Sequence, residues 1–137
     1  MCRLAVGGSS LFEVSDIEFE REGPSYTIDT ARELGQLGWQ KINWLIGADM
    51  LIYLPKWHQI DQLLQEVTFV VMARPGFAID WEALPPQFQS LRQNVVPAPL
   101  IDISASDIRK RVGAGLSVDY LTPEPVCQYI RDHGLYR

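Results

Sequence analysis

The sequence predicts an α/β fold built on an open parallel sheet, and three observations carry that reading. Two short apolar runs without alternation, INWLIGAD at 42–49 and TFVVMAR at 68–74, suit parallel strands covered on both faces. Stretches with helical spacing lie between and around them. The repeated order of strand, loop and helix then indicates an open sheet with helices on both faces, whose ligands bind beyond the carboxyl ends of the strands.

The elements follow in order. LFEVSDIEFE at 11–20 partly alternates, and Phe12, Val14 and Ile17 or Phe19 suggest a half-buried strand at a sheet edge. After the turn at Gly23-Pro24, SYTIDTARELGQLG places Ile28, Ala31, Leu34 and Leu37 at intervals of three, a helix stripe that Gly38 closes. INWLIGAD ends its strand at Gly47. MLIYLPKWH reads as a short helix broken by Pro55, QIDQLLQEV as a second helix, and TFVVMAR as a strand ending at Arg74-Pro75-Gly76. Residues 75–90, rich in proline and glutamine, have no period and read as a surface excursion; NVVPAP is weakly strand-like. ISASDIRKRVGAG is a helix with serine caps, with Ile108 and Val112 on one face and Gly113 and Gly115 as its stop. A last helix starts after Pro123, aligns Val126, Tyr129, Ile130 and His133, and ends at Gly134.

The chain has 137 residues and 47% hydrophobic content, enough for a core, and reads as a single domain over 1–137. Its net charge of −5 argues against a general electrostatic grip on nucleic acid, so any phosphate ligand is held by a local cationic pocket. No apolar run reaches the roughly 18 residues of a membrane span, and the start MCRLAVGGSS is too weakly apolar for a signal peptide. The expectation is a cytoplasmic protein without nucleic-acid or membrane partners. Cys2 and Cys127 are far apart and read as inert reduced thiols.

Several stretches could carry chemistry. In Ile103-Ser104-Ala105-Ser106-Asp107-Ile108-Arg109, two hydroxyls and open backbone N–H groups meet at a helix start, with a guanidinium one turn on. That set can hold a phosphate, or Ser104 or Ser106 can simply cap the helix while Arg109 is solvated. In Leu45-Ile46-Gly47-Ala48-Asp49, a strand gives way to a glycine that admits a ligand and a carboxylate that can accept from ribose; a plain turn with Asp49 as helix cap is the alternative. Leu54-Pro55-Lys56-Trp57-His58 presents an ammonium, an indole and an imidazole, suited to stacking on a flat heterocycle unless Trp57 is core. Arg74 would reach the ligand edge of the sheet, for a phosphate or for a loop carboxylate. Thr27 serves as cap or as ligand to an amide or carboxylate.

Taken together, SYTIDT, WLIGADMLIYLPKWH, TFVVMARPG and ISASDIRKRVGAGLSVDYLTPEPVCQYIRDHGLY, in that order and spacing, closely resemble bacterial nicotinate-nucleotide adenylyltransferases of the nucleotidyltransferase superfamily. The resemblance implies a Rossmann-like sheet and transfer of AMP from ATP to nicotinate mononucleotide, giving deamido-NAD and pyrophosphate. It implies ATP contacts from Ser104, Ser106, Arg109, Gly47 and Asp49, with Ala105 where a second hydroxyl is common in the family. It implies mononucleotide contacts from Thr27, Trp57, His58 and Arg74, and magnesium accompanying ATP.

The family's catalytic H-x-G-H motif has no counterpart here, since the only histidines are His58 and His133, so the resemblance covers the C-terminal two-thirds of the enzyme. Loss of three or four core partners at about 1.5 to 3 kcal/mol each would rival a total stability of about 5 to 15 kcal/mol. The polypeptide alone is therefore expected to fold poorly and to be inactive unless an upstream piece is supplied. A non-catalytic nucleotide-binding or interaction module is the competing class. A sibling transferase acting on pantetheine phosphate or nicotinamide mononucleotide fits PKWH and SYTIDT less well, and a homo-oligomer stays open.

Overall fold

The computed structural model describes residues 1–73, 76, 78–99 and 101–137. The chain forms two compact units, one of Met1–Asp16 with Ile101–Arg137 and one of Ile17–Leu100.

The unit of Ile17–Leu100 holds the sheet. Strands β1 (Asn43–Gly47), β2 (Thr68–Ala73) and β3 (Val95–Pro97) lie parallel in the order β1-β2-β3. Trp44 pairs with Phe69, Ile46 with Val71, and Val71 with Val95, so these side chains share one face. That face is the core: Ile46, Phe69 and Val71 are buried together with Ile28 and Ala31 of helix α2 (Thr27–Gln36) and Ile60 and Leu63 of helix α3 (Ile60–Glu66). The expectation of strands covered on both faces fails within this unit. Leu45, Met72 and Val96, aligned on the other face, are 59%, 41% and 40% exposed. An apolar run reads alike whether one face or two are covered, because the period carries no information once both parities are apolar.

Two further expectations are corrected in physical terms. Residues 75–90 are not simply a surface excursion, because Leu84 and Phe88 are buried, as is Leu91 in the same 3-10 stretch, Pro86–Asn94. Phe88 and Leu91 are three residues apart, the period that puts side chains of a 3-10 helix on one line. The region 50–58 is not a broken α-helix; it makes 3-10 turns at Ala48–Met50 and Leu54–Lys56, the second with Pro55 near its start. Prolines cannot supply the N–H that a longer helix would need there.

The segment that leads into α2 is tied down by side chains. Thr30, buried on α2, donates from its hydroxyl to Glu18 at 2.7 Å and accepts from Arg21 at 3.2 Å, while Arg21 also pairs with Glu33 at 2.6 Å. Ser25 donates to the carbonyl of Glu18.

The other unit contains helix α1 (Cys2–Val6), helix α4 (Ala105–Gly113) and helix α5 (Glu124–Asp132). The sequence reading gave no helix at 2–6. The strand expected at 11–20 is absent: no ladder pairing involves the described residues there, and Leu11, Phe12 and Phe19 are 85%, 66% and 92% exposed. Alternation alone cannot make a strand without an edge to pair with. Val126, Cys127 and Ile130 of α5 are buried; His133 is exposed and stacks on Tyr129 at 3.9 Å instead of joining that face.

Helices α4 and α5 end as the sequence predicts. In α4 the N–H groups of Gly115 and Leu116 bond back to Val112 and Arg111, and in α5 those of Gly134 and Leu135 bond to Arg131 and Ile130. This double closure needs a left-handed residue after the cap, and Gly115 (φ 69°) and Gly134 (φ 57°) supply it at no steric cost.

Candidate functional site

In the sheet-bearing unit, a recess of about 210 Å³ is lined by Ser25, Tyr26, Thr27, Lys56, Trp57 and His58. Two separate stretches of sequence meet here, the start of α2 and the turn after Leu54–Lys56. Thr27, Trp57 and His58, three of the four residues expected to bind the mononucleotide, are thus brought together. The fourth, Arg74, lies outside the described residues.

Each wall has a local cause. Leu54 is fully buried and anchors the 3-10 turn, and the Trp57 amide closes it by donating to the Leu54 carbonyl at 3.0 Å. Trp57 is half-buried, its ring edge-on to the buried Phe69 at 6.1 Å between centroids, which fixes the indole while leaving part of it to the recess. Trp57 is thus partly packed against the core and partly open to the recess. Tyr26 stacks on His58 at 4.2 Å and joins the two stretches. Tyr26 occupies the N-cap position of α2 and makes no side-chain cap, and the amide of the half-buried Thr27 has no acceptor among the described residues, whereas Ile28 is wholly buried. The residues lining the recess therefore carry an aromatic surface, a hydroxyl, an open backbone donor and an ammonium.

Gly47 and Asp49 lie at the carboxyl end of β1, as expected of a strand-end pair. A Cβ at position 47 would sit 2.5 Å from Asp49 Oδ1, so the missing side chain makes room for the carboxylate to fold back over the strand end. Asp49 lies inside the 3-10 turn Ala48–Met50 and does not cap it.

In the other unit, the helix start at 104–109 divides its labour. Ser104 is the N-cap of α4: its oxygen accepts from the Asp107 amide at 3.0 Å and its proton goes to the Asp107 carboxylate at 2.6 Å. That hydroxyl is committed to the helix itself. Ser106 differs, since its oxygen accepts from Arg109 Nη2 at 3.3 Å and its proton remains available to a ligand. Arg109 is exposed and has no carboxylate partner among the described residues. The amides of Ala105 and Ser106 are also open. This end of α4 offers a hydroxyl, two amides and a guanidinium, a donor set suited to a phosphate.

One group of three potential metal ligands occurs among the described residues, Asp119, Glu124 and Cys127. Arg131 already pairs with both carboxylates, at 3.0 Å for Asp119, and Cys127 is buried with its thiol pushed up by that burial and by Glu124 and Asp119. A neutral thiol and neutralised carboxylates do not suit magnesium, which takes oxygen ligands.

Comparison with known proteins decides the family. Residues 1–111 match the cytidylyltransferase-like family. The chain belongs to that family. Among its relatives are probable nicotinate-nucleotide adenylyltransferases of Roseiflexus sp. (42% identity over 100% of this chain and 70% of the relative) and Geobacillus kaustophilus (46% identity over 99% and 60%). The chain thus spans about 60 to 70% of the length of these relatives. Among solved structures, the nicotinic acid mononucleotide adenylyltransferase of Plasmodium falciparum, complexed with APC or with NaAD, superposes with a TM-score of 0.71 at 19% identity. It covers 99% of this chain, and this chain covers 72% or 71% of it. That likeness shows the parallel α/β fold. No helix among the described residues is long and apolar enough to cross a membrane.

The sequence reading did not assign Tyr26, Ser25 or Lys56 to the site. Lys56 stands inside the P-K-W-H stretch, and Tyr26 beside Thr27, so the signal was adjacency to residues already chosen.

Proposed function

We propose that this member of the cytidylyltransferase-like family serves nicotinate-nucleotide adenylyl transfer, converting nicotinate mononucleotide and ATP into deamido-NAD and pyrophosphate. The observation that carries the reading is the recess in which Thr27, Trp57 and His58 converge, together with relatives of that name at 42 to 46% identity. A flat pyridine ring stacks on the half-buried indole, and its carboxylate is received by the hydroxyl and the open amide of Thr27. The first turn of α4 receives ATP phosphates through Ser106, Arg109 and the amides of Ala105 and Ser106. Ser104 supports them as the cap that holds this turn. Gly47 and Asp49 serve the nucleotide at the end of β1, and Arg74 a phosphate.

The reaction is an in-line displacement. An oxygen of the mononucleotide phosphate forms a bond to the α-phosphorus of ATP, the bond from that phosphorus to the bridging oxygen breaks, and pyrophosphate leaves with the electron pair. No covalent enzyme intermediate is needed. These residues act by orienting the two substrates and by placing positive charge and N–H groups where phosphate charge develops. Magnesium accompanying ATP would offset the charge of its phosphates. The setting is the cytoplasm, where both substrates would be found.

The test is to incubate the 137-residue chain, alone and supplied with an upstream piece bearing H-x-G-H, with ATP and nicotinate mononucleotide and to separate the products by chromatography. Equimolar deamido-NAD and pyrophosphate are expected once the upstream piece is supplied. Binding of both substrates by the completed protein with no product would instead support a non-catalytic nucleotide-binding module.

A further inference from the structure

The lining of the Trp57 recess contains two side chains able to carry positive charge, Lys56 and His58, and hydrogen bonding distinguishes them. The chain of partners begins at Arg32, which can only donate. Arg32 Nη1 donates to Gln59 Oε1 at 3.3 Å, and its remaining N–H groups engage Glu66 and Gln62. The Gln59 oxygen is therefore the acceptor side of that amide, and its nitrogen faces His58 Nε2 at 3.0 Å. His58 Nε2 is thus engaged by the Gln59 amide. The His58 ring also lies against Tyr26, which occupies one of its faces.

Lys56 is the one lysine or arginine among the six residues lining the recess, and it lacks the contacts that engage His58. It is exposed, and no ion pair or side-chain hydrogen bond engages it among the described residues, although acidic residues outnumber basic ones in the chain by 17 to 12. A lysine with no carboxylate partner in an acidic protein, beside an aromatic slot, has its charge available to a ligand.

We propose that Lys56 sets the preference of this recess for a pyridine ring bearing a carboxylate over one bearing an uncharged amide. The inference rests on the mononucleotide reading above and goes beyond it. The Thr27 hydroxyl and the open Thr27 amide donate hydrogen bonds to either group, so they discriminate weakly; the ammonium interacts favourably with the carboxylate alone. Lys56 is thus a specificity residue, and it takes no part in the bond changes at phosphorus.

The experiment measures equilibrium binding of nicotinate mononucleotide and nicotinamide mononucleotide, each without ATP, by calorimetry on the full-length protein. It compares the unsubstituted protein with Lys56→Met and Lys56→Arg. The preference for the carboxylate ligand should fall about fivefold in Lys56→Met, through weaker carboxylate binding with amide binding maintained, and should survive in Lys56→Arg. An unchanged preference in Lys56→Met, or equal weakening of both ligands, overturns the inference while leaving the recess as the binding site. Binding of neither mononucleotide by the unsubstituted protein overturns the mononucleotide reading and the inference together. Because Lys56 is exposed and its side chain has no partner among the described residues, its truncation removes no internal contact seen there.

Discussion

At the scale of single residues, the two serines before Arg109 do different work despite similar positions. Ser104 closes hydrogen bonds in both directions with Asp107, so Ser104→Ala should cost about 1 kcal/mol of stability, measured by urea unfolding. Arg109 is free of carboxylates among the described residues, so Arg109→Ala should raise KM for ATP about tenfold with little change in the urea midpoint. A stability loss without a kinetic effect would assign Arg109 to the helix instead. The two cysteines also separate. Cys2 is exposed, whereas burial, with Glu124 and Asp119 nearby, pushes the Cys127 thiol up, so a thiol reagent at neutral pH should modify one sulfur quickly and the other only on unfolding. Rapid modification of two would contradict the packing of α5. Short motifs carry Thr27, Trp57 and His58, and their meeting in one recess follows from how those motifs pack. The contacts of Gln59 with Arg32 and His58 were not legible, because Arg32 and Gln59 are brought together only by the packing of α2 and α3.

At the scale of elements, the helices were legible where periodicity and glycine stops agreed, as in α2, α4 and α5. The stretch 84–91 was not, because a 3-10 line of apolar residues amid proline and glutamine has too few turns to show a period. Its core role gives a direct expectation: Phe88→Ala should destabilise the sheet-bearing unit by about 3 to 5 kcal/mol, read as a lower urea midpoint, whereas a surface loop would lose almost nothing. The loop before α5 carries a pH signature. The hydrogen bond from Ser117, and then Arg131, hold the Asp119 carboxyl below its ordinary value. A carboxylate depressed in the folded state stabilises it above the unfolded pKa, about 4, and that contribution is lost as pH falls through the lower folded value. Asp119→Asn should therefore flatten the decline of the urea midpoint between about pH 5 and pH 3; an unchanged slope would show that the Ser117 and Arg131 contacts are not formed in solution.

At the scale of the whole molecule, the proposed anionic substrates of an acidic chain call for cations placed singly. Lys56 in one unit and Arg109 in the other are exposed and lack carboxylate partners among the described residues, while Arg21, Arg32, Arg92 and Arg131 are all consumed by ion pairs. Net charge could not reveal this division, since it counts paired and unpaired groups alike. The parallel order of strands followed from apolar runs and intervening helices. The bare face carrying Leu45, Met72 and Val96 did not, because apolar residues of both parities give the same pattern whether or not a layer covers them. The central claim is that the recess walled by Trp57 holds the pyridine mononucleotide. Steady-state kinetics of Trp57→Ala in the full-length protein test it most directly: KM for nicotinate mononucleotide should rise about tenfold with little change in KM for ATP, whereas an unchanged mononucleotide KM would place the ring elsewhere and contradict the account.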